Sequence, residues 1–74
     1  MRKLTKDNYE EYSLENNNNE SIAINEANDD EDRPCYSVDS YKEQLTPYES
    51  KLFETIEEAL EEANKFDGEL INRN

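Results

Sequence analysis

Five glutamates, Glu54, Glu57, Glu58, Glu61 and Glu62, recur at intervals of three and four, the spacing that a helix gathers into one row. A second acidic run, Asp29, Asp30, Glu31 and Asp32, stands between two stretches in which apolar residues alternate with polar ones. Carboxylates in such patterns can bind a cation, exchange protons in a cleft, or present a field of negative charge. A calcium loop of the EF-hand type needs ligands at alternate positions, a central glycine and a closing glutamate. Here the acids are consecutive and Gly68 is the only glycine in the chain, so the run suits weak, nonspecific cation association and lacks the pattern of a dedicated metal site. Acid–base work by paired carboxylates requires a cleft that pushes their pKa values apart, and 74 residues this polar have little interior in which to build one. The chain has no histidine, which leaves no ordinary zinc site and no base to activate Cys35. With one glycine it has no phosphate-cradling loop. These residues predict a non-enzymatic protein without a cofactor, and leave the third use, a negative field.

The acidic row needs a helix to carry it, and residues 55–66 supply one. Thr55 can cap the first turn, with Glu58 three residues on completing a capping box. Glu57 and Glu58 set negative charge at the positive end of the helix dipole and Lys65 sets positive charge at the other. Ile56, Ala59, Leu60, Ala63 and Phe66 share the opposite, apolar face. Asp67 and Gly68 provide the stop, Gly68 by taking the left-handed conformation. Upstream, two readings stand. Thr46, Pro47 and Glu49 form a second start signal that extends the helix back to residue 47. Alternatively, residues 51–54 make a third, short edge strand that ends at the Thr55 cap.

Ile22 and Ile24 fall on one side of a strand by the period-two rule, as do Tyr36 and Val38 of the run 35–41, with Cys35 and Tyr41 on the other side. Two alternating runs about the polar turn at 29–32 predict a hairpin over about 21–41. Cys35 reads as a small half-buried residue in that second strand. An isolated hairpin is marginal, so the helix must cover its apolar face. The expected class is α+β, a small antiparallel sheet packed on one C-terminal helix. Residues 1–20 read as a flexible or weakly ordered segment: a basic tail with Arg2, Lys3 and Lys6, a short unassigned stretch with Tyr9, Tyr12 and Leu14, and a loop at the asparagine run 16–19. The domain spans 21–68, residues 42–49 form a loop, and residues 69–74 form a tail in which Leu70 and Ile71 tuck back on the helix end.

Twenty acidic residues against eight basic ones make a net charge of −12. Leu, Ile, Val and Phe together number only 13. This composition lies near that of disordered chains, and self-repulsion weakens the compact state further. It also argues against direct binding to nucleic acid or to an anionic membrane surface. No run of residues has the length or apolarity of a signal peptide or a membrane span, and the chain reads as cytoplasmic.

Like charges three and four residues apart cost a helix a few tenths of a kcal/mol per pair, and Lys51 and Lys65 are the only basic residues near the row. A surface that keeps this repulsion can imitate a phosphate backbone toward a basic cleft and speed encounter with it. The expected partner-binding residues are Glu26, Asp29, Asp30, Glu31, Asp32, Glu54, Glu57, Glu58, Glu61 and Glu62, joined by Tyr36 and Tyr41, since tyrosine is enriched at binding hot spots. In size, in charge and in the acidic segments 29–32 and 54–62, the chain resembles the phage-borne inhibitors of host defence nucleases, the anti-CRISPR and anti-restriction proteins that mimic nucleic acid. That resemblance implies a stoichiometric inhibitor in the host cytoplasm. Its target would be a basic nucleic-acid-handling protein, such as a Cas effector or a restriction enzyme, at a DNA, guide-RNA or protospacer-adjacent-motif site. The alternative is a small adaptor or antitoxin-like protein that binds a partner through the stripe Ile56, Leu60, Ala63 and Phe66, as a monomer or a homodimer.

Overall fold

A computed structural model describes residues 3–43 and 46–73. Met1 and Arg2 of the basic tail, Gln44 and Leu45 of the expected loop, and Asn74 of the expected tail lie outside the described residues. The chain runs β1 (Tyr12–Glu15), β2 (Glu20–Asn28), β3 (Pro34–Lys42), β4 (Glu49–Phe53), α1 (Ile56–Ala63) and β5 (Glu69–Asn72). The strands form one antiparallel sheet in the order β4-β3-β2-β1-β5, covered on one face by α1.

The predicted hairpin is its backbone. Strands β2 and β3 pair without a break from Glu20 opposite Lys42 to Asn28 opposite Pro34. Because side chains alternate, this register puts Ile22, Ile24, Tyr36 and Val38 on the same face. Leu14, Leu70 and Phe53 join them from the neighbouring strands. Against this face α1 sets Ala59 and Ala63, both wholly buried, with Ile56, Leu60 and Phe66 at the rim. Two small residues let the helix lie close to the sheet, which is how so few aliphatic side chains fill the interior.

The α+β class holds, but the sheet has five strands where two or three were expected. The third strand exists as Glu49–Phe53 and pairs with β3 from Glu49 opposite Ser40 to Phe53 opposite Tyr36. That pairing excludes a helix beginning at residue 47. Thr55 is the N-cap, in extended backbone, and its hydroxyl accepts the Glu58 N–H at 3.2 Å and donates to the Glu58 carboxylate at 3.1 Å. The helix ends at Ala63, before the predicted 66. Two further bonds, Lys65 N–H to Glu62 O and Phe66 N–H to Ala63 O, tighten the exit into 3₁₀ geometry.

Gly68 does not end the helix by a left-handed turn, since its φ is not positive. Its smallness serves a close approach: a Cβ there would sit 2.8 Å from the Glu15 carbonyl oxygen and 2.7 Å from the Phe66 ring. The left-handed positions are Asn19, Asp32 and Glu43. The first two are the residue types that tolerate it best, and each sits in a hairpin turn.

Residues of the expected N-terminal segment and C-terminal tail enter the fold. In β1, a strand inside the stretch expected to be weakly ordered, Leu14 is buried opposite Ile22 on one side and Leu70 on the other. The expected tail supplies β5, the outermost strand next to β1. Before β1, Leu4 and Tyr9 are buried in the same core. The C-capping Asn64 holds this segment, accepting the Leu4 N–H at 2.9 Å and donating to the Leu4 carbonyl at 3.0 Å. Residues 3–11 thus cover part of the sheet beside α1. No helix among the described residues is long and apolar enough to cross a membrane.

Leu14→Ala removes a fully buried side chain from an inner strand and should cost about 2–5 kcal/mol. Thr55→Ala removes one cap and should cost about 1 kcal/mol. Urea unfolding followed by circular dichroism checks the order; equal losses would mean that β1 is not integral. Gly68→Ala should destabilise by about 1–3 kcal/mol through overpacking against Glu15 and Phe66, read in the same experiment.

Candidate functional site

The fold gathers much of the predicted acidic surface at one end. Phe53 stands opposite Tyr36, two residues from the start of β3, so α1 begins near the tip of the β2–β3 hairpin. Glu26, Asp30, Glu31, Asp32, Glu54, Glu57, Glu58 and Glu61 are exposed, while Asp29 and Glu62 are half-buried.

Their roles diverge. Asp29 builds the hairpin turn: its carboxylate accepts the N–H groups of Glu31 and Arg33, each at 2.9 Å. Arg33 returns to this turn, pairing with Asp29 at 3.3 Å and Glu31 at 2.9 Å. Glu62 is held between Lys51 at 3.1 Å and Lys65 at 3.4 Å, and the hydrogen bond from Lys51 keeps its carboxyl below the usual range. Glu57 pairs with Lys6, whose hydrogen bond likewise lowers it. The glutamate row is therefore relieved at Glu57 and Glu62, and Lys6, a residue of the N-terminal segment, is a partner that no local spacing could reveal. Among the described residues, Glu26, Asp30, Asp32, Glu54, Glu58 and Glu61 have no cation within ion-pair distance. Exposed ion pairs of this kind contribute little to stability; their effect here is to localise the free charge.

The two tyrosines separate. Tyr36 is half-buried on the covered face and meets Tyr9 edge-to-face, ring centroids 6.2 Å apart. Tyr41 is half-buried on the open face, opposite Ser21 near the other end of the ladder. The apolar helix stripe that an adaptor would offer faces its own sheet, with Ala59 and Ala63 wholly buried.

A second polar cluster escapes sequence reasoning. Ser37, Asp39 and Asn25 project from the open face of β3 and β2, and Asp39 is only 8% exposed. Its carboxylate accepts from Ser37 Oγ at 2.5 Å and Asn25 Nδ2 at 2.6 Å. Asn25 Oδ1 in turn accepts from Arg73 Nη2 at 2.5 Å, and Arg73 Nη1 donates to the Ile24 carbonyl at 3.0 Å. Arg73 thereby satisfies a β2 carbonyl beyond the last β1–β2 pair, Leu14 with Ile22. The only local signal is a lone acid in an alternating strand; apart from Ser37, two residues before it, its partners Ser50, Asn25 and Arg73 lie 11, 14 and 34 residues away. The cluster is a structural network, satisfied throughout, since no buried side-chain polar atom among the described residues lacks a partner.

Elsewhere an open cleft of about 850 Å³ lies between the asparagine loop and the helix exit, lined by Glu15, Asn16, Asn17, Asn18, Asp67, Gly68, Glu69 and Leu70. It offers carboxylates and amides with no nucleophile. Among the described residues no three His, Cys, Asp or Glu side chains are placed to hold a metal ion.

Burial alone pushes the Asp39 carboxyl up, but hydrogen bonds from Ser37, Ser50 and Asn25, with the charge of Arg73, outweigh it and hold the carboxyl below its usual value. A carboxyl lowered on folding stabilises the native state above its unfolded pKa, and that stability is lost as pH falls through the folded value. Asp39→Asn should therefore lower the melting temperature at pH 7 and leave a shallower fall between about pH 5 and 2. Parallel melting curves that keep the same acid slope would show that Asp39 is not the group responsible.

No protein-family model, curated protein or solved structure matches the chain, so the functional reading rests on the surface itself.

Proposed function

We propose that the protein is a non-enzymatic inhibitor that occupies the basic cleft of a nucleic-acid-handling protein, such as a CRISPR effector or a restriction-type nuclease, with an acidic surface in place of nucleic acid. One observation carries this. Lys6, Arg33, Lys51 and Lys65 each pair with acids of this surface, yet six carboxylates, Glu26, Asp30, Asp32, Glu54, Glu58 and Glu61, remain without a cation among the described residues. A fold with so small a core keeps them although their mutual repulsion weakens it. Their return is the field they project from the hairpin tip and the start of α1.

The contact set is narrower than the acidic composition suggests. Asp29, Glu57 and Glu62 shape the surface, while the six carboxylates without a cation, Glu58 among them although it also accepts from Thr55, meet the partner. Complementary charge at this end accelerates encounter and fixes orientation. The adaptor alternative needs a free apolar helix stripe, and this stripe is spent on the core.

The test is capture from lysates of cells producing a CRISPR effector or a restriction nuclease, with the immobilised protein at low and high salt. Binding should be lost as salt rises from roughly 0.1 M to 1 M, where the screening length falls from about 10 Å to 3 Å. Duplex DNA or guide RNA should displace the protein. Glu54→Lys with Glu61→Lys should weaken binding at least about tenfold without lowering the melting temperature, the change expected when complementary charges are reversed. A ternary complex with saturating nucleic acid, or capture indifferent to salt, overturns the proposal.

A further inference from the structure

The sheet ends at β4, an edge strand with no bulge and no proline within it. Natural edge strands are kept from pairing with other chains by bulges, prolines, short length or charges that stand in the way. Strand β4 pairs with β3 over five residues in unbroken register and contains no proline. Its one lysine, Lys51, is drawn over the helix-covered face by Glu62. Leu52 is 53% exposed on the open face, and Tyr48, just before the strand, is 58% exposed. Among the described residues, the backbone on the outer side of β4 has no neighbouring strand.

Charge selects the occupant. A strand laid along β4 has two faces. On the helix side it meets Glu49, which shares a face with Lys51, and the flank of α1 that carries Glu62. Glu58, one turn before Glu62, lies on that same flank. On the open side it meets Leu52 and Ser50. A second copy is disfavoured, because each chain carries −12. Resting on the reading of a basic partner, we propose that β4 accepts an extended segment of that partner as a sixth strand, with lysine or arginine at alternate positions toward the helix and apolar residues between them toward Leu52. Backbone pairing supplies affinity and the alternation supplies selection, as in other cases of strand addition.

A nine-residue peptide of alternating lysine and valine, titrated into the isotopically labelled protein at low salt, tests this. Amide exchange should slow at least tenfold within Glu49–Phe53 while β5 is unchanged, and Leu52→Lys should weaken binding at least tenfold. The same peptide N-methylated throughout keeps its charge but cannot donate to an edge, and should not bind. Equal binding of both peptides, with shifts confined to the hairpin tip and α1, would overturn strand addition and leave the charge-based reading standing. Failure of the unmethylated peptide to bind overturns strand addition as well. A dimer in sedimentation without peptide, with β4 amides already protected, would show that a second copy takes the edge and would equally overturn it.

Discussion

Ile24 and Val38 face each other across the two longest strands, beneath α1, and the rest of the structure depends on that contact being covered. The chain has apolar residues for one buried face and no more. Each remaining element either adds a side chain to that face or closes an end of it: Leu14 and Leu70 from the strands beyond β2, Phe53 from β4, Leu4 and Tyr9 from the N-terminal segment. The helix contributes mainly alanines to the deepest layer, trading side-chain volume for closeness. A one-sided core of this kind makes every terminal segment structural, because none of the cover can be spared.

The uncovered face is governed by a different constraint. It carries small and polar residues, and its most enclosed charge, Asp39, is kept ionised by Ser37, Asn25 and Ser50 with Arg73 nearby. Those bonds tie β2 and β3 to the C-terminus, through Arg73, where no apolar packing does so. Charge elsewhere works against compactness. The acids form two populations, those such as Asp29 and Glu62 that bond locally and define geometry, and those such as Asp30 and Glu54 that project unpaired. The proposed function draws on the second population, because charge without a local counterion projects furthest beyond the surface.

The hairpin was legible because its strands are long enough for the period-two pattern to repeat; the Thr55–Glu58 cap was legible too, but a start at residue 47 stood beside it until the pairing of β4 with β3 excluded it. The short strands β1 and β5 were not, since four residues hold too few repeats to separate strand from turn. Each is a strand because Leu14 has Ile22 and Leu70 on either side. Gly68 was legible as special, but its reason is a carbonyl at Glu15, 53 positions earlier in the chain.

By itself, the sequence determined what local patterns can encode: an α+β class, a central hairpin, a capped helix with one apolar face, and an excess of negative charge. Only the tertiary structure decided how many strands the sheet has, that Tyr36 lies under the core while Tyr41 lies outside it, and which carboxylates are free. Those outcomes turn on contacts such as Lys6 with Glu57, Asn64 with Leu4 and Arg73 with Asn25. Such pairs are separated by about fifty residues, and no periodicity in the chain records them.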